Sequence, residues 1–233
     1  MQTLIKALFI LVFLAFPIVT TVQAEGNSTE APEDIAERLQ ARYDKIKSLS
    51  FNFTQNTSGD MTGRPRRGTG KAAFAKLEDK SYMRWDYTSP DKQVLFSDGE
   101  LFSMYFDKLK QMIVTQADTL DANLTYSFFT GQGILKEDFL FHPADDDFSS
   151  ENNAEFKVIK LIPKTAQSQV QDIHLWVTPE SLIRRINVRD HFGTITVLNF
   201  SDIQVDSLVD KPPEELLYFF SFVPPAGTEI IRQ

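Results

Sequence analysis

Apolar and polar positions alternate with a period of two through most of this chain, most densely from Ser81 to Val114. Four short strands are predicted there: Tyr82 to Tyr87, Gln93 to Ser97, Leu101 to Phe106 and Lys110 to Val114. Thr88-Ser89-Pro90-Asp91, Asp98-Gly99 and Asp107-Lys108 supply the turns. Alternate side chains of a strand point to opposite faces, so Met83, Trp85 and Tyr87 share one face while Tyr82, Arg84 and Asp86 share the other. In the third strand Leu101, Ser103 and Tyr105 oppose Phe102, Met104 and Phe106, which makes it apolar on both sides. A face open to water would carry polar residues. Both faces therefore need cover, either from a second sheet, as in a sandwich core, or from helix, partner or ligand.

The rest of the chain frames this meander. Ile35, Leu39, Tyr43 and Ile46 recur at helical spacing, and Pro32, Glu33 and Asp34 suit a helix start, so the pattern predicts a helix over 32–47. Leu49 to Gln55 alternates as a strand that presents Phe51 and Phe53 together, with Gly68 to Ala75 as its partner across the 56–67 loop. Two apolar segments, Asp118 to Thr130 and Ile134 to Phe141, then break the alternation. They read as helical pieces suited to covering an open sheet face. Pro143 to Asn153 reads as a solvated acidic loop. Strands resume at Glu155–Ile162, Gln169–Val177, Leu182–Arg189 and Thr194–Phe200, and a last apolar run spans Leu216–Val223. The tally is about ten or eleven strands, with helices at two places and no domain-separating linker.

Charge and composition narrow the partners. The 233 residues hold 24 Lys+Arg against 32 Asp+Glu, a formal charge of −8, which disfavours a nucleic-acid partner. The dense basic cluster, Arg64, Arg66 and Arg67, reads as a solvated hairpin tip or as a contact for an acidic surface. Met1 to Ala24 has the form of a secretory signal: Lys6, an apolar run from Ala7 to Val19, and Val22-Gln23-Ala24 as the cleavage site. A membrane anchor is the rival reading, but a bilayer span needs about 20 apolar residues. Residues 25–233 then form one exported domain. With no cysteine there is no disulfide, thiolate metal site or cysteine nucleophile. His142, His174 and His191 lack metal-ligand spacing, and no hydrolase elbow, phosphate loop or dinucleotide fingerprint is present. The expectation is a binding protein that is no enzyme and has no cofactor.

Four stretches carry a family resemblance: Leu49–Gln55, Arg84-Trp85-Asp86-Tyr87-x-x-Pro90, Ser97-Asp98-Gly99 with Tyr105 and Gln111, and Phe220-Ser221-Phe222-x-Pro224-Pro225-x-Gly227. In order and spacing the chain resembles the periplasmic outer-membrane lipoprotein carrier family, LolA. The resemblance implies an unclosed β half-barrel with a helical lid over an apolar cavity. It implies a monomeric periplasmic carrier whose cargo is acylated lipoprotein. An inner-membrane ATP-driven extractor would load it, and an outer-membrane lipoprotein receptor would unload it. A related lipid-binding or lipoprotein-sensing module of the same fold is the alternative. The cavity would be lined by Phe51, Phe53, Met83, Trp85, Phe96, Phe102 and Met104, and the lid would contribute Leu124, Phe128 and Phe129. The inward choice of Met83 and Trp85 follows the family's Trp strand. One departure stands out. The family places an Arg-Pro latch shortly before that strand, and here the segment reads Ala75-Lys76-Leu77-Glu78-Asp79-Lys80. Lys76 and Lys80 are the candidate substitutes, each a single-point donor.

Overall fold

The computed structural model describes residues 30–59, 63–78, 80–117, 133–167 and 169–233. Residues 1–29, where the leader is expected, and the 118–132 segment, with Leu124, Phe128 and Phe129, lie outside the described residues. The chain opens with helix α1 (Pro32–Lys45), followed by β1 (Ser48–Ser58), β2 (Arg66–Leu77), β3 (Lys80–Ser89), β4 (Gln93–Ser97), β5 (Leu101–Phe106) and β6 (Gln111–Gln116). Then come the short helix α2 (Leu135–Asp138), β7 (Phe139–Pro143), the single turn α3 (Asp146–Ser149), β8 (Lys157–Pro163), β9 (Asp172–Val177), β10 (Ile183–Arg189) and β11 (Ile195–Val205). Helix α4 (Pro213–Phe220) and β12 (Glu229–Arg232) end the chain.

All twelve described strands join one sheet in the order β12-β6-β5-β4-β3-β2-β1-β11-β10-β9-β8-β7. The two ends of that order do not pair, so the sheet is unclosed. The strand tally differs from the sequence expectation at both edges. β12 is an extra strand, and it pairs with β6 in parallel, so the sheet is not wholly antiparallel. Parallel neighbours need a long crossover, which no local pattern announces. β7 falls inside Ile134–Phe141, of which only Leu135–Asp138 is helical. Phe139 and Phe141 turn towards the core while Leu140 and His142 face out, a strand's alternation rather than a helical stripe.

The main core lies on the concave face of the sheet. Ile35, Leu39, Tyr43 and Ile46 of the α1 region pack into it, as does Leu135 of α2. Specific bonds pin α1 to the far strands. Arg38 joins Glu30, the Ser181 hydroxyl (2.8 Å) and the Thr178 carbonyl. The buried Tyr43 hydroxyl accepts from the Ile183 amide at 3.2 Å, and burial raises its pKa well above the phenol's ordinary 10. Gln40 accepts from the Leu135 amide at 2.9 Å, tying α2 to α1.

The acidic 143–153 segment is not a solvated loop. It folds over the convex face of β8, β9 and β10. Asp145 accepts from Lys160 at 2.8 Å, and Glu151 accepts from the Trp176 indole (3.0 Å) and from Arg185 (2.9 Å). Between them the Phe148 ring meets His174 and Trp176 edge-on at 4.8 and 5.1 Å. Of the acids in the segment, Asp146 and Asp147 stay exposed.

Candidate functional site

Register assigns the faces that the sequence leaves open. Trp85 pairs with Ala72 on β2 and with Leu95 on β4. Leu95 in turn pairs with Met104, and Ser97 with Phe102. Cross-strand partners share a face, so Met83, Trp85, Leu95, Phe102 and Met104 lie together on the concave side. Phe51 and Phe53 join them from β1. Trp85 is only 2 % exposed and sits among rings: Phe53 at 4.6 Å, Phe51 at 5.8 Å and Phe74 at 6.2 Å between centroids. Phe200 stacks tilted on Phe51 at 4.5 Å. Gly70 makes room for this cluster, because a Cβ there would sit 2.8 Å from the Phe53 ring and 2.0 Å from the Asp86 carbonyl oxygen. At the margin the chemistry turns polar. Tyr87 donates its hydroxyl proton to Gln55 at 2.7 Å, and Thr57 and Thr196 share a hydrogen bond of 3.1 Å.

Phe96 needs correction. It pairs with Arg84 and Ser103, which puts it on the convex face. There it meets Phe222 at 5.9 Å, in a cluster with Tyr105, Met112 and Val114. This cluster also explains why β5 is apolar on both sides: Phe102 and Met104 face the concave core, and Leu101 and Tyr105 face the C-terminal segment. Among the described residues, the concave arrangement holds no directed set of donors or nucleophiles around Trp85. It offers broad, polarisable apolar surface of the kind that accommodates flexible apolar chains.

The candidate latch lysines have other engagements. Lys80 pairs with Glu100. Lys76 donates to the Tyr43 carbonyl at 3.1 Å, near the C-terminal end of α1. A cation there also suits the negative end of the helix dipole. Lys76 thus holds one covering helix against β2. Arg84, which the sequence places opposite Trp85, anchors a different element. Paired to Asp86, it donates to the carbonyls of Phe219 and Ser221, both at 2.8 Å, and so fastens the end of α4 to the convex face. Sequence reasoning gave Arg84 no partner, since nothing local links β3 to a segment so distant in the chain.

Comparison with known proteins decides the family. The profile of "Outer membrane lipoprotein carrier protein LolA" matches residues 44–212. The chain belongs to the LolA family. An outer-membrane lipoprotein carrier protein from Nitrosospira multiformis is 27 % identical over 225 residues, covering 95 % of this chain and 96 % of its own length. One from Methylococcus capsulatus is 25 % identical over 215 residues, covering 92 % and 96 %. Among solved structures, an uncharacterized conserved protein from Thermus thermophilus superposes with a TM-score of 0.51 at 10 % identity, covering 86 % of this chain and 98 % of its own, a likeness of fold alone. This LolA-family chain is thus mostly β, an open sheet carried on a divergent sequence.

Proposed function

We propose that this chain carries the acyl chains of lipoproteins across the periplasm, from the inner to the outer membrane. The observation that carries the reading is the concave band of aromatic and methionine side chains, held on an unclosed sheet and withdrawn from water. Phe51, Phe53, Met83, Trp85, Phe102 and Met104 are its acyl contacts. Burying one CH₂ is worth about 0.8 kcal/mol, so each long acyl chain carries on the order of 10 kcal/mol and cannot cross water unaided. An inner-membrane ATP-driven extractor supplies the work of loading, and an outer-membrane receptor accepts the cargo. The leader over 1–24 supports export to that compartment. A second reading, a carrier or sensor of another lipid cargo, is favoured by one feature: the absent Arg-Pro latch, with Lys76 fixing α1 instead.

Native mass spectrometry of the protein purified from its own periplasm tests this. The expected result is a bound acylated lipoprotein that is lost in Trp85→Glu while circular dichroism stays native. A bound lipid of another class selects the second reading. An empty protein that also refuses a triacylated peptide in vitro overturns both.

A further inference from the structure

At one end of the sheet two hairpins stand side by side. The β1–β2 hairpin brings Arg64, Arg66 and Arg67 there, and the β10–β11 turn brings Phe192. Ser58 pairs with Ile195, and a Cβ on Gly59 would lie 2.8 Å from the Thr194 Cα, so the two hairpins touch through their backbones. All three arginines are exposed, and none has an ion-pair partner among the described residues. Elsewhere Arg38, Arg84, Arg185 and Arg189 are paired to Glu30, Asp86, Glu151 and Asp172, while Arg42, Arg184 and Arg232 have no ion pair among the described residues but lie apart from one another in the chain. Residues 59–71 hold four basic side chains against one acidic, within a chain of net charge −8. The turns at the opposite end carry Asp98, Glu100, Glu180, Asp206 and Asp210 beside Lys80 and Lys211, whereas the arginine end sets Lys92, Lys108 and Lys110 beside Asp91, Asp107 and Asp190, so the basic excess is concentrated at the β1–β2 hairpin.

Phe192 is 67 % exposed, yet its turn is well made. Asp190 accepts from the amides of Phe192 (2.8 Å) and Thr194 (2.7 Å), and Gly193 takes the left-handed φ of 78° that closes the turn. Those two residues build the turn without help from the 192 side chain, so nothing in the fold calls for an aromatic ring there. Ile195 beside it is also exposed.

We propose that this end of the molecule docks on an anionic lipid bilayer, with Arg64, Arg66 and Arg67 on lipid phosphates and the Phe192 ring in the headgroup layer. Guanidinium groups beside an aromatic ring form the usual interfacial anchor. Alternation along β2 sends Arg66 to the concave side and Arg67 to the convex side, with Arg64 nearer the tip. This fan matches a laterally continuous anionic plane better than a single row of carboxylates. The acidic remainder of the chain is repelled, so docking is orienting and reversible. The inference stands apart from whatever the concave face carries.

Vesicle co-sedimentation tests it, with phosphatidylcholine alone and phosphatidylcholine mixed with phosphatidylglycerol. The purified protein is expected to bind the phosphatidylglycerol vesicles at low ionic strength and to be released by salt. Arg64→Glu, Arg66→Glu and Arg67→Glu together should lower the partition coefficient by on the order of 100-fold, given the known contribution of each basic residue at such a surface. The corresponding three Arg→Lys changes should retain most of the binding. Phe192→Trp should show blue-shifted emission on the same vesicles, above the constant background of the buried Trp85 and Trp176. Absence of wild-type binding at low salt, an unaffected triple Glu variant, or binding to polyglutamate but not to vesicles would each overturn the proposal. Unshifted Phe192→Trp emission would overturn the insertion of the ring.

Discussion

The two halves of the sheet are built from different side chains on both of their faces. In β8, β9 and β10 the concave side is branched and aliphatic: Ile159, Leu161, Ile173, Leu175, Val177, Ile183 and Ile186, with α1 pressed onto β7 and β8. In β1 to β5 it is aromatic and sulfurous: Phe51, Phe53, Phe74, Met83, Trp85, Phe102 and Met104. The convex sides differ too. Behind the aliphatic half the 143–153 segment forms a strap that covers buried, paired charges. Behind the aromatic half, α4 buries Leu216 and Phe220 but leaves Leu217, Phe219 and Tyr218 (81 % exposed) in solvent. Branched side chains have few rotamers and interlock, whereas methionine and flat rings can repack around a guest. The contrast teaches a division of labour. One half is a fixed wall that seats the covering helix, and the other is the surface that can adapt.

The sharpest way to break this contrast is to cut into the fixed wall. Ile159 is wholly buried at its centre. Ile159→Ala should destabilise the protein by about 2–5 kcal/mol, the usual loss for deleting a packed aliphatic group and leaving a cavity. Urea unfolding measures it. Acyl uptake by the protein that remains folded should be unchanged, because the proposed acyl contacts lie on the other half. A loss of uptake equal to that of Trp85→Glu would erase the distinction between the halves.

A smaller effect is expected behind the adaptable half. Arg84→Ala removes the donors to the Phe219 and Ser221 carbonyls. These acceptors are partly wet, so the cost should be about 1 kcal/mol. The clearer signal is protease cleavage near Tyr218, where α4 loses its fastening to β3. If cleavage is no faster than in wild type, the packing of Leu216, Phe220 and Phe222 holds α4 without the Arg84 fastening.

Much of this design is visible in the sequence, and what escapes has a physical reason. The α1 stripe and the alternation of Met83, Trp85 and Tyr87 are local patterns, and local patterns survive folding. β4 is different, because Val94, Leu95 and Phe96 are all apolar. Period two then assigns no face, and only the pairing with Arg84 and Ser103 sends Phe96 outward. β12 depends on a parallel partner far away in sequence. The strap is legible only in space, since the acids of 145–151 look solvated until Lys160, Arg185 and the Trp176 indole are seen beneath them. The Arg-Pro departure was visible, but the role of Lys76 on the Tyr43 carbonyl was not, because it joins two elements across the core.

The mildest test concerns acid, and it separates the halves by charge. His174 is 2 % exposed on β9, under the Phe148 ring. Asp145 of the strap stands 3.3 Å from it and Asp172 of its own strand 3.6 Å, while Lys160 of β8 and Arg189 of β10 hold the same carboxylates. Burial lowers its pKa from the ordinary 6.5, outweighing the two carboxylates that pull it up. The folded state therefore prefers the neutral ring. That contribution to stability is complete above 6.5 and is lost as pH falls from there through the folded value. A second loss follows at lower pH. Burial pushes the Asp145 carboxyl up, but the Lys160 hydrogen bond and the charges of His174, Lys160 and Arg189 hold it below its ordinary 3.8. Its contribution is present above that value and disappears as pH falls through the folded one. Thermal melts across this range should decline in two stages. Replacing His174 with Phe should flatten the upper stage and, by removing one of the charges that hold the Asp145 carboxyl down, should also lessen the lower one. An unchanged upper stage in that variant would place the acid sensitivity outside the strap, and the difference in charge between the two halves would then have no consequence for stability.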